Sequence, residues 1–168
     1  TSSGSSTNET YVETLGVKLQ VPPSWTASET PLWPQCLLTY DTDAKVSIDL
    51  LNEKLNIALF TEDYFTSVYK EHFTTWPEKE LYEPDSGTGY YSYVVETTNY
   101  FRTDEMVRMS CFVRCPLFDD DVVTRNYHYY TTYIVNVSED YTLLIRCEEV
   151  DDQYKYLEMF DSIVKSVR

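Results

Sequence analysis

The chain has 168 residues and a mass of 19.7 kDa, and its 13 basic and 28 acidic residues give a formal charge of −15 at pH 7. A chain of this length buries about 70% of its unfolded surface, so it can form a hydrophobic core without a metal or a disulfide. The acidity argues against nucleic acid as a partner, because neutralising phosphates requires clustered lysine and arginine. The sequence contains no run of 18 apolar residues, so we expect no transmembrane segment.

The amino-terminal segment is predicted to be a flexible tether, because residues 1–10 contain no large apolar side chain. Residues 11–168 are predicted to form a single domain. The serine, glycine and threonine of this tether are similar to the segment that follows the lipidated cysteine of bacterial lipoproteins. That resemblance implies a lipid anchor upstream of Thr1. The alternative interpretation is a tag remnant or a frayed terminus.

Alternation of apolar and polar residues predicts strands through most of the chain. The first predicted strand ends at Pro22 and Pro23, and the next two form a hairpin around the turn at 41–44. Short turns between the later strands favour antiparallel neighbours, since a parallel crossover needs a dozen residues or more. The predicted strands are Val17–Val21, Cys36–Tyr40, Lys45–Leu51, Tyr90–Thr97, Glu105–Arg114, Asn126–Val137 and Thr142–Cys147.

Two amphipathic helices are predicted from apolar residues that recur at three- and four-residue steps. The first spans Glu62–Thr74, with Thr61 as its N-cap. The second lies at the carboxyl end, between Tyr156 and Val167, after a cap at Asp151 or Asp152. We therefore expect an α+β fold, in which a single antiparallel twisted sheet of about six strands carries two main helices packed on it.

Two segments resemble the ends of PsbP-like domains. The sequence from Gly16 to Trp25 runs from a strand into Pro-Pro-Ser-Trp, and the sequence from Phe160 to Val167 is similar to the closing helix of that family. The resemblance implies the PsbP-like α/β/α sandwich and a non-catalytic role. It also implies kinship with the extrinsic subunits of photosystem II and with secreted bacterial lipoproteins.

Four cysteines leave the question of disulfides open. Cys111 and Cys115 on one extended strand would lie about 13 Å apart, whereas a disulfide tolerates about 7 Å between Cα atoms. Cys147 is expected two strands away from Cys111, which is also too far. Either one disulfide forms with Cys36 as a partner, or the thiols are free and buried in the core.

Tyrosine is the most unusual component of the chain, with 16 residues. Tyr127, Tyr129 and Tyr133 are predicted to share one face of a strand, with Tyr91 and Tyr93 in a preceding segment. Adjacent tyrosines can form a platform for a glycan or a peptide, because the ring packs and the hydroxyl donates. The alternative is that the rings fill the interface between helices and sheet.

Two further hypotheses concern chemistry. Asp119, Asp120 and Asp121 are consecutive carboxylates that could supply oxygen ligands to calcium, although the spacing of the known calcium loop is missing. His128 could act as the general base of a hydrolase, although the sequence places no nucleophile beside it. The alternatives are a solvated turn and a histidine on the sheet surface.

These patterns favour a non-enzymatic binding or assembly module that has no cofactor. Its partner would be a protein or a glycan, and it would be secreted or tethered at a bacterial cell surface. A hydrolase using His128 and a calcium-binding module using residues 119–121 are the alternative functions.

Overall fold

The computed structural model describes residues 8–30, 32, 34–40, 43–74, 94–119, 122–150 and 154–168. Of these, only the backbone is described at 8, 69–70, 72–74, 94–95, 114–119, 122–128 and 150. The elements in chain order are β1 (Asn8–Val12), β2 (Val17–Val21), β3 (Thr26–Glu29), β4 (Cys36–Tyr40), β5 (Ala44–Leu51), α1 (Glu62–Thr74), β6 (Val94–Arg102), β7 (Met106–Asp119), β8 (Val122–Asn136), β9 (Thr142–Val150) and α2 (Leu157–Lys165).

Seven strands form one sheet in the order β3-β4-β5-β9-β8-β7-β6, and β1 and β2 form a separate two-stranded sheet. Every strand pair that the structure describes is antiparallel. The predicted antiparallel α+β fold is therefore confirmed, with seven strands in the sheet where about six were expected. The strand at Thr26–Glu29 lacks apolar alternation, because all four of its side chains are exposed on the sheet edge.

The predicted tether is wrong for its last three residues. Residues 8–10 belong to β1, where Asn8 pairs with Val21 and Thr10 pairs with Leu19. These residues are polar, so their sequence gives no strand pattern. The strand is stabilised by its neighbours, because Val12 at its end is buried in the core. Residues 1–7 lie outside the described part of the chain.

The two faces of the large sheet are covered by different elements. The first, which we call the α2 face, carries α2 and the small β1–β2 sheet, and its buried residues include Leu19, Trp25, Leu38, Ile48, Tyr133, Ile145, Phe160 and Ile163. The second, the α1 face, carries α1 and a short 3₁₀ turn at Ile57–Leu59, and its buried residues include Ile57, Phe65, Val107, Met109, Tyr130 and Ile134. The predicted sandwich of helix, sheet and helix is therefore observed.

Both helices in the described part of the chain begin close to a turn, but only one has the predicted cap. The Thr61 hydroxyl accepts a hydrogen bond from the Tyr64 backbone N–H over 3.2 Å, and α1 spans the predicted residues. In contrast, α2 begins at Leu157 after Tyr156, which makes no side-chain cap bond. The prediction that Asp151 or Asp152 caps α2 is therefore wrong. Neither described helix has the length and apolar character needed to cross a bilayer.

The carboxyl end of the chain is fixed to the small sheet. The Arg168 backbone N–H donates to the Lys18 carbonyl over 2.9 Å, and the Lys18 N–H donates back over 2.7 Å. The Arg168 guanidinium also forms an ion pair with Glu9 on β1. These contacts attach the residues that follow α2 to β1 and β2.

Three of the four cysteines are free and fully buried. Cys36 and Cys147 belong to the core on the α2 face, whereas Cys111 belongs to the core on the α1 face. Burial raises the pKa of Cys36 to about 11 and that of Cys111 to about 12. The sequence left open a disulfide with Cys36 or free thiols in the core, and these three cysteines have free, buried thiols.

Candidate functional site

The predicted tyrosine platform is only partly within the described structure. Tyr91 and Tyr93 lie outside it, and Tyr127 is described only as a backbone position on β8, opposite Arg114. Tyr129 and Tyr133 both project to the α2 face, as the strand alternation predicts. Their environments differ greatly, because Tyr129 lines a cleft whereas the side chain of Tyr133 is fully buried.

Tyr133 is not a platform residue, which corrects the prediction. Its side chain is fully buried beneath α2, and its hydroxyl donates to Asp161 Oδ1 over 2.5 Å. Arg108 Nη1 donates to the other oxygen of the same carboxylate over 2.7 Å, and Arg108 Nε donates to the Asn99 carbonyl. The ring therefore belongs to the interface between helix and sheet, which was the alternative considered for these tyrosines.

One row of register partners crosses four strands on the α2 face. Glu96 on β6 pairs with Phe112 on β7, Phe112 pairs with Tyr129 on β8, and Tyr129 pairs with Glu149 on β9. The rings of Phe112 and Tyr129 are 5.1 Å apart between centroids and tilted by 36°. We call these four residues the aromatic row. It places two adjacent rings between two carboxylates whose Cα atoms are about 14 Å apart, at about 4.8 Å per strand.

Tyr154 adds a third ring next to the aromatic row. Its ring meets that of Tyr129 edge to face, with centroids 5.2 Å apart and planes at 75°. The backbone at Tyr154 has φ = 54°, in the left-handed region that costs a residue with a Cβ atom roughly 1–2 kcal/mol. Because such strain persists only where surrounding contacts enforce it, the packing of Tyr154 is a defined feature of this turn.

These residues line a cleft of about 540 Å³, which we call the aromatic cleft. Its lining consists of Glu96, Thr97, Thr98, Phe112, Tyr129 and Tyr154. Glu96 and Thr98 are exposed, whereas the three rings are half-buried. Three rings beside exposed polar groups provide an apolar wall with hydrogen-bonding groups at its rim, which is the usual make-up of a binding site.

The polar groups below the rings are unusual for a sheet surface. Glu149 is 1% exposed, and its Oε1 lies 3.5 Å from the backbone nitrogen of Tyr156, next to the amino end of α2. Within the described residues, the buried hydroxyl of Tyr154 has no hydrogen-bond partner. Burial raises the pKa of Tyr154, and Glu149 and Glu96 are among the negative groups that raise it further. The Tyr154 hydroxyl therefore remains neutral beside two acidic residues.

The residues of the two chemical hypotheses fall largely outside the described side chains. Asp119 is described only by its backbone, as the partner of Val122 at the end of β7, and Asp120 and Asp121 lie outside the described ranges. His128 is described by its backbone on β8, between Val113 and Val150. Among the side chains that are described, no three His, Cys, Asp or Glu residues converge to hold a metal ion.

Sequence reasoning missed Phe112, Glu96, Glu149 and Tyr154 as members of this site. Phe112 lies on the face of β7 opposite to Val107, Met109, Cys111 and Val113, and the strand pattern gave it no role. Phe112 lies beside Tyr129 because of the register between β7 and β8. That register depends on the length of the hairpin turn between the two strands, which the sequence pattern did not define.

The comparisons with known proteins concern the fold. No protein-family model and no curated protein sequence matches the chain. It is similar to the crystal structure of the Ran-binding protein Mog1p of Saccharomyces cerevisiae, with a TM-score of 0.56 and 9% identity over 98% of this chain and 96% of that one. A point mutant of Mog1 gives a TM-score of 0.58 and 10% identity over 97% and 95% of the two chains.

The same fold occurs in the cyanobacterial PsbP protein CyanoP of Synechocystis sp. PCC 6803. The TM-score is 0.51 and the identity 13%, over 100% of this chain and 95% of that one. The PsbP-like fold predicted from the two terminal motifs is therefore confirmed. At this level of identity, the likeness concerns the fold alone.

Proposed function

We propose that this protein is a non-enzymatic binding or assembly module, secreted or tethered at the surface of a bacterial cell. The observation that carries the proposal is the aromatic cleft, where three packed rings lie beside an exposed carboxylate. Aromatic rings with polar rims are typical of protein recognition surfaces. The partner proposed here is a protein rather than a glycan.

The fold neighbours support this class of function. Mog1p is a Ran-binding protein, and its likeness to this chain extends over nearly the full length of both. A fold of this kind therefore serves protein binding in at least one solved structure. With 9% identity, the likeness supports a binding role without transferring the partner.

Capture with matched variants tests the binding role. The purified protein, Tyr129→Ala and Tyr141→Ala would be immobilised and exposed to envelope proteins of the source cells. Tyr141 is an exposed ring outside the aromatic cleft and serves as the control. We expect a partner that the wild type and the control retain and that Tyr129→Ala loses, with saturable one-to-one binding by calorimetry once it is purified.

Two results would contradict the proposal. One is that no protein is retained by the wild type and the control and lost by Tyr129→Ala, although the wild type and both variants have the same circular dichroism and melting profile. The other is that the partner is released with a changed mass, since chemical turnover would contradict a non-enzymatic role. Intact-mass spectrometry of the partner before and after binding measures this directly.

The proposed location has a separate test. The tether composition and its similarity to lipoproteins support attachment at the cell surface. Fractionation of the source cells, after labelling with a fatty-acid analogue, should place the native protein in the envelope fraction with the label attached. Recovery from the cytosol without label would overturn the surface location, while leaving the binding test unaffected.

A further inference from the structure

We infer that the aromatic cleft binds the guanidinium group of an arginine side chain on the partner. This inference deepens the proposed function and depends on it, since it names the chemistry by which the binding module recognises its partner. It follows from the aromatic row, from the third ring at Tyr154 and from contacts that the same sheet makes elsewhere.

The aromatic row combines the two features that attract a planar cation. The faces of Phe112 and Tyr129 carry negative quadrupole charge, which attracts a guanidinium that lies over the rings. Glu96 lies at the exposed end of the row, where its carboxylate can accept two parallel N–H bonds from the same group. Glu149 lies at the buried end of the row.

Tyr154 brings a buried hydroxyl close to the aromatic row. Within the described part of the chain, this hydroxyl has no hydrogen-bond partner. An unsatisfied buried polar group is destabilising, so a donor that reaches it would relieve that cost. Arginine carries five N–H donors in one plane and no acceptor, which suits the exposed carboxylate of Glu96.

The same sheet already places guanidinium groups over aromatic rings. The Arg146 guanidinium carbon lies 4.4 Å from the centroid of the Tyr130 ring, and the Arg108 carbon lies 5.4 Å from that of Phe101. Tyr130 directly follows Tyr129 on β8, so both faces of this strand present rings suited to the same contact. In the cleft, the guanidinium would come from another chain.

The whole chain favours a basic partner as well. A net charge of −15 raises the local concentration of positively charged segments and speeds their association. Arginine is favoured over lysine, because the planar guanidinium stacks on rings and pairs with a carboxylate at the same time, whereas the ammonium group is compact and strongly hydrated.

A peptide titration tests the inference. The ¹⁵N-labelled protein would be titrated with acetyl-Gly-Arg-Gly-amide and, separately, with the citrulline peptide, which has the same shape without the charge. We expect shifts of backbone signals at Thr97, Thr98, Phe112 and Tyr129 with the arginine peptide. The citrulline peptide should bind at least about tenfold more weakly.

Variants locate the binding and separate it from folding. Glu96→Gln changes an exposed residue and should weaken arginine binding about threefold, whereas Tyr129→Leu should weaken it about tenfold. Tyr141→Leu, an exposed tyrosine outside the cleft, should leave it unchanged. Equal binding of both peptides, the absence of shifts at the cleft, or an unchanged affinity in Glu96→Gln would each overturn the inference.

The failure of this inference is distinguishable from failure of the proposed function. If a partner is captured through Tyr129 but the arginine peptide does not shift the cleft signals, the binding role stands and the arginine chemistry is wrong. If a neutral oligosaccharide shifts the same signals and the arginine peptide does not, the arginine inference is again overturned.

Discussion

The hydroxyl of Tyr133 illustrates how one buried group can hold a helix on a sheet. It donates to Asp161 on α2 from the middle of β8, and Arg108 on β7 completes the ion pair with the same carboxylate. Arg108 also donates to the carbonyl of Asn99, whose backbone is in the left-handed region at φ = 57°. The three strands β6, β7 and β8 are thus joined to α2 through one carboxylate.

Replacing Tyr133 with phenylalanine should lower the free energy of unfolding by about 1–2 kcal/mol. The ring volume is kept, but Asp161 loses one hydrogen bond in a mostly buried position. Urea unfolding followed by circular dichroism measures the change. Tyr141→Phe, at an exposed position, should stay within about 0.5 kcal/mol of the wild type. Equal stability of both variants would show that the Tyr133 bond contributes nothing.

Strand alternation correctly placed Tyr129 and Tyr133 on one face, but it could not tell their burial apart. The two residues have the same type and the same orientation, and they differ only in where α2 lies. The helix carries Asp161 over Tyr133, whereas Tyr129 lies beyond the amino end of the helix, next to Tyr154. The alternation along a strand shows which face of the sheet a residue lies on, but it does not show how much of that face a helix covers.

At the scale of elements, α1 was predictable to the residue because its start signal is local. Thr61 accepts from the Tyr64 N–H, and Glu62 and Asp63 provide the acidic first turn that complements the helix dipole. The start of α2 was not predictable in the same way. A turn with the left-handed residue Tyr154 precedes it, and tyrosine carries no signal for that conformation.

Replacing Thr61 with alanine should destabilise the protein by about 1 kcal/mol, because the Tyr64 N–H loses its acceptor at the exposed start of α1. Thr61→Ser keeps the hydroxyl and is the matched control, with an expected change below about 0.5 kcal/mol. Hydrogen exchange of the Tyr64 amide gives a local measure and should accelerate in the alanine variant alone. Identical exchange in both variants would contradict the cap.

At the scale of the whole molecule, the terminal motifs identified the fold better than the middle of the chain did. The segment from Gly16 to Trp25 and the closing helix frame the core on the α2 face, where Trp25 meets Phe160 with ring centroids 6.4 Å apart. Each of these motifs is a short continuous segment, so it can be recognised in one sequence alone. The aromatic row could not be derived in this way, because it depends on the register of four strands at once.

The buried thiols predict a loss of stability at alkaline pH. Burial raises the pKa of Cys36 to about 11 and of Cys111 to about 12, from an ordinary value of 9.0. The folded state therefore favours the neutral thiol. The contribution of the neutral thiol to the free energy of unfolding is complete below pH 9. It decreases by about 1.4 kcal/mol per pH unit for each thiol as the pH rises towards the pKa of that thiol in the folded state.

Melting curves between pH 8 and pH 11 measure this loss. The wild type should lose stability steeply above pH 9, and Cys111→Ala should lose it with a shallower slope, whatever its stability at pH 8. The slope is the readout, because truncating a buried side chain lowers stability at every pH. An equal slope in both proteins would contradict a role for the Cys111 thiol in alkaline unfolding.

The position of the Glu9–Arg168 ion pair has a practical consequence. The ion pair joins β1 to the residues that follow α2, whereas Tyr154 precedes that helix. The nine residues of α2 therefore separate the ion pair from Tyr154 by about 14 Å along the helix axis. A bead, a dye or a membrane attached on the amino-terminal side of β1 would therefore leave the rings of Phe112, Tyr129 and Tyr154 accessible. Biosensor chips should accordingly be loaded through the amino-terminal side.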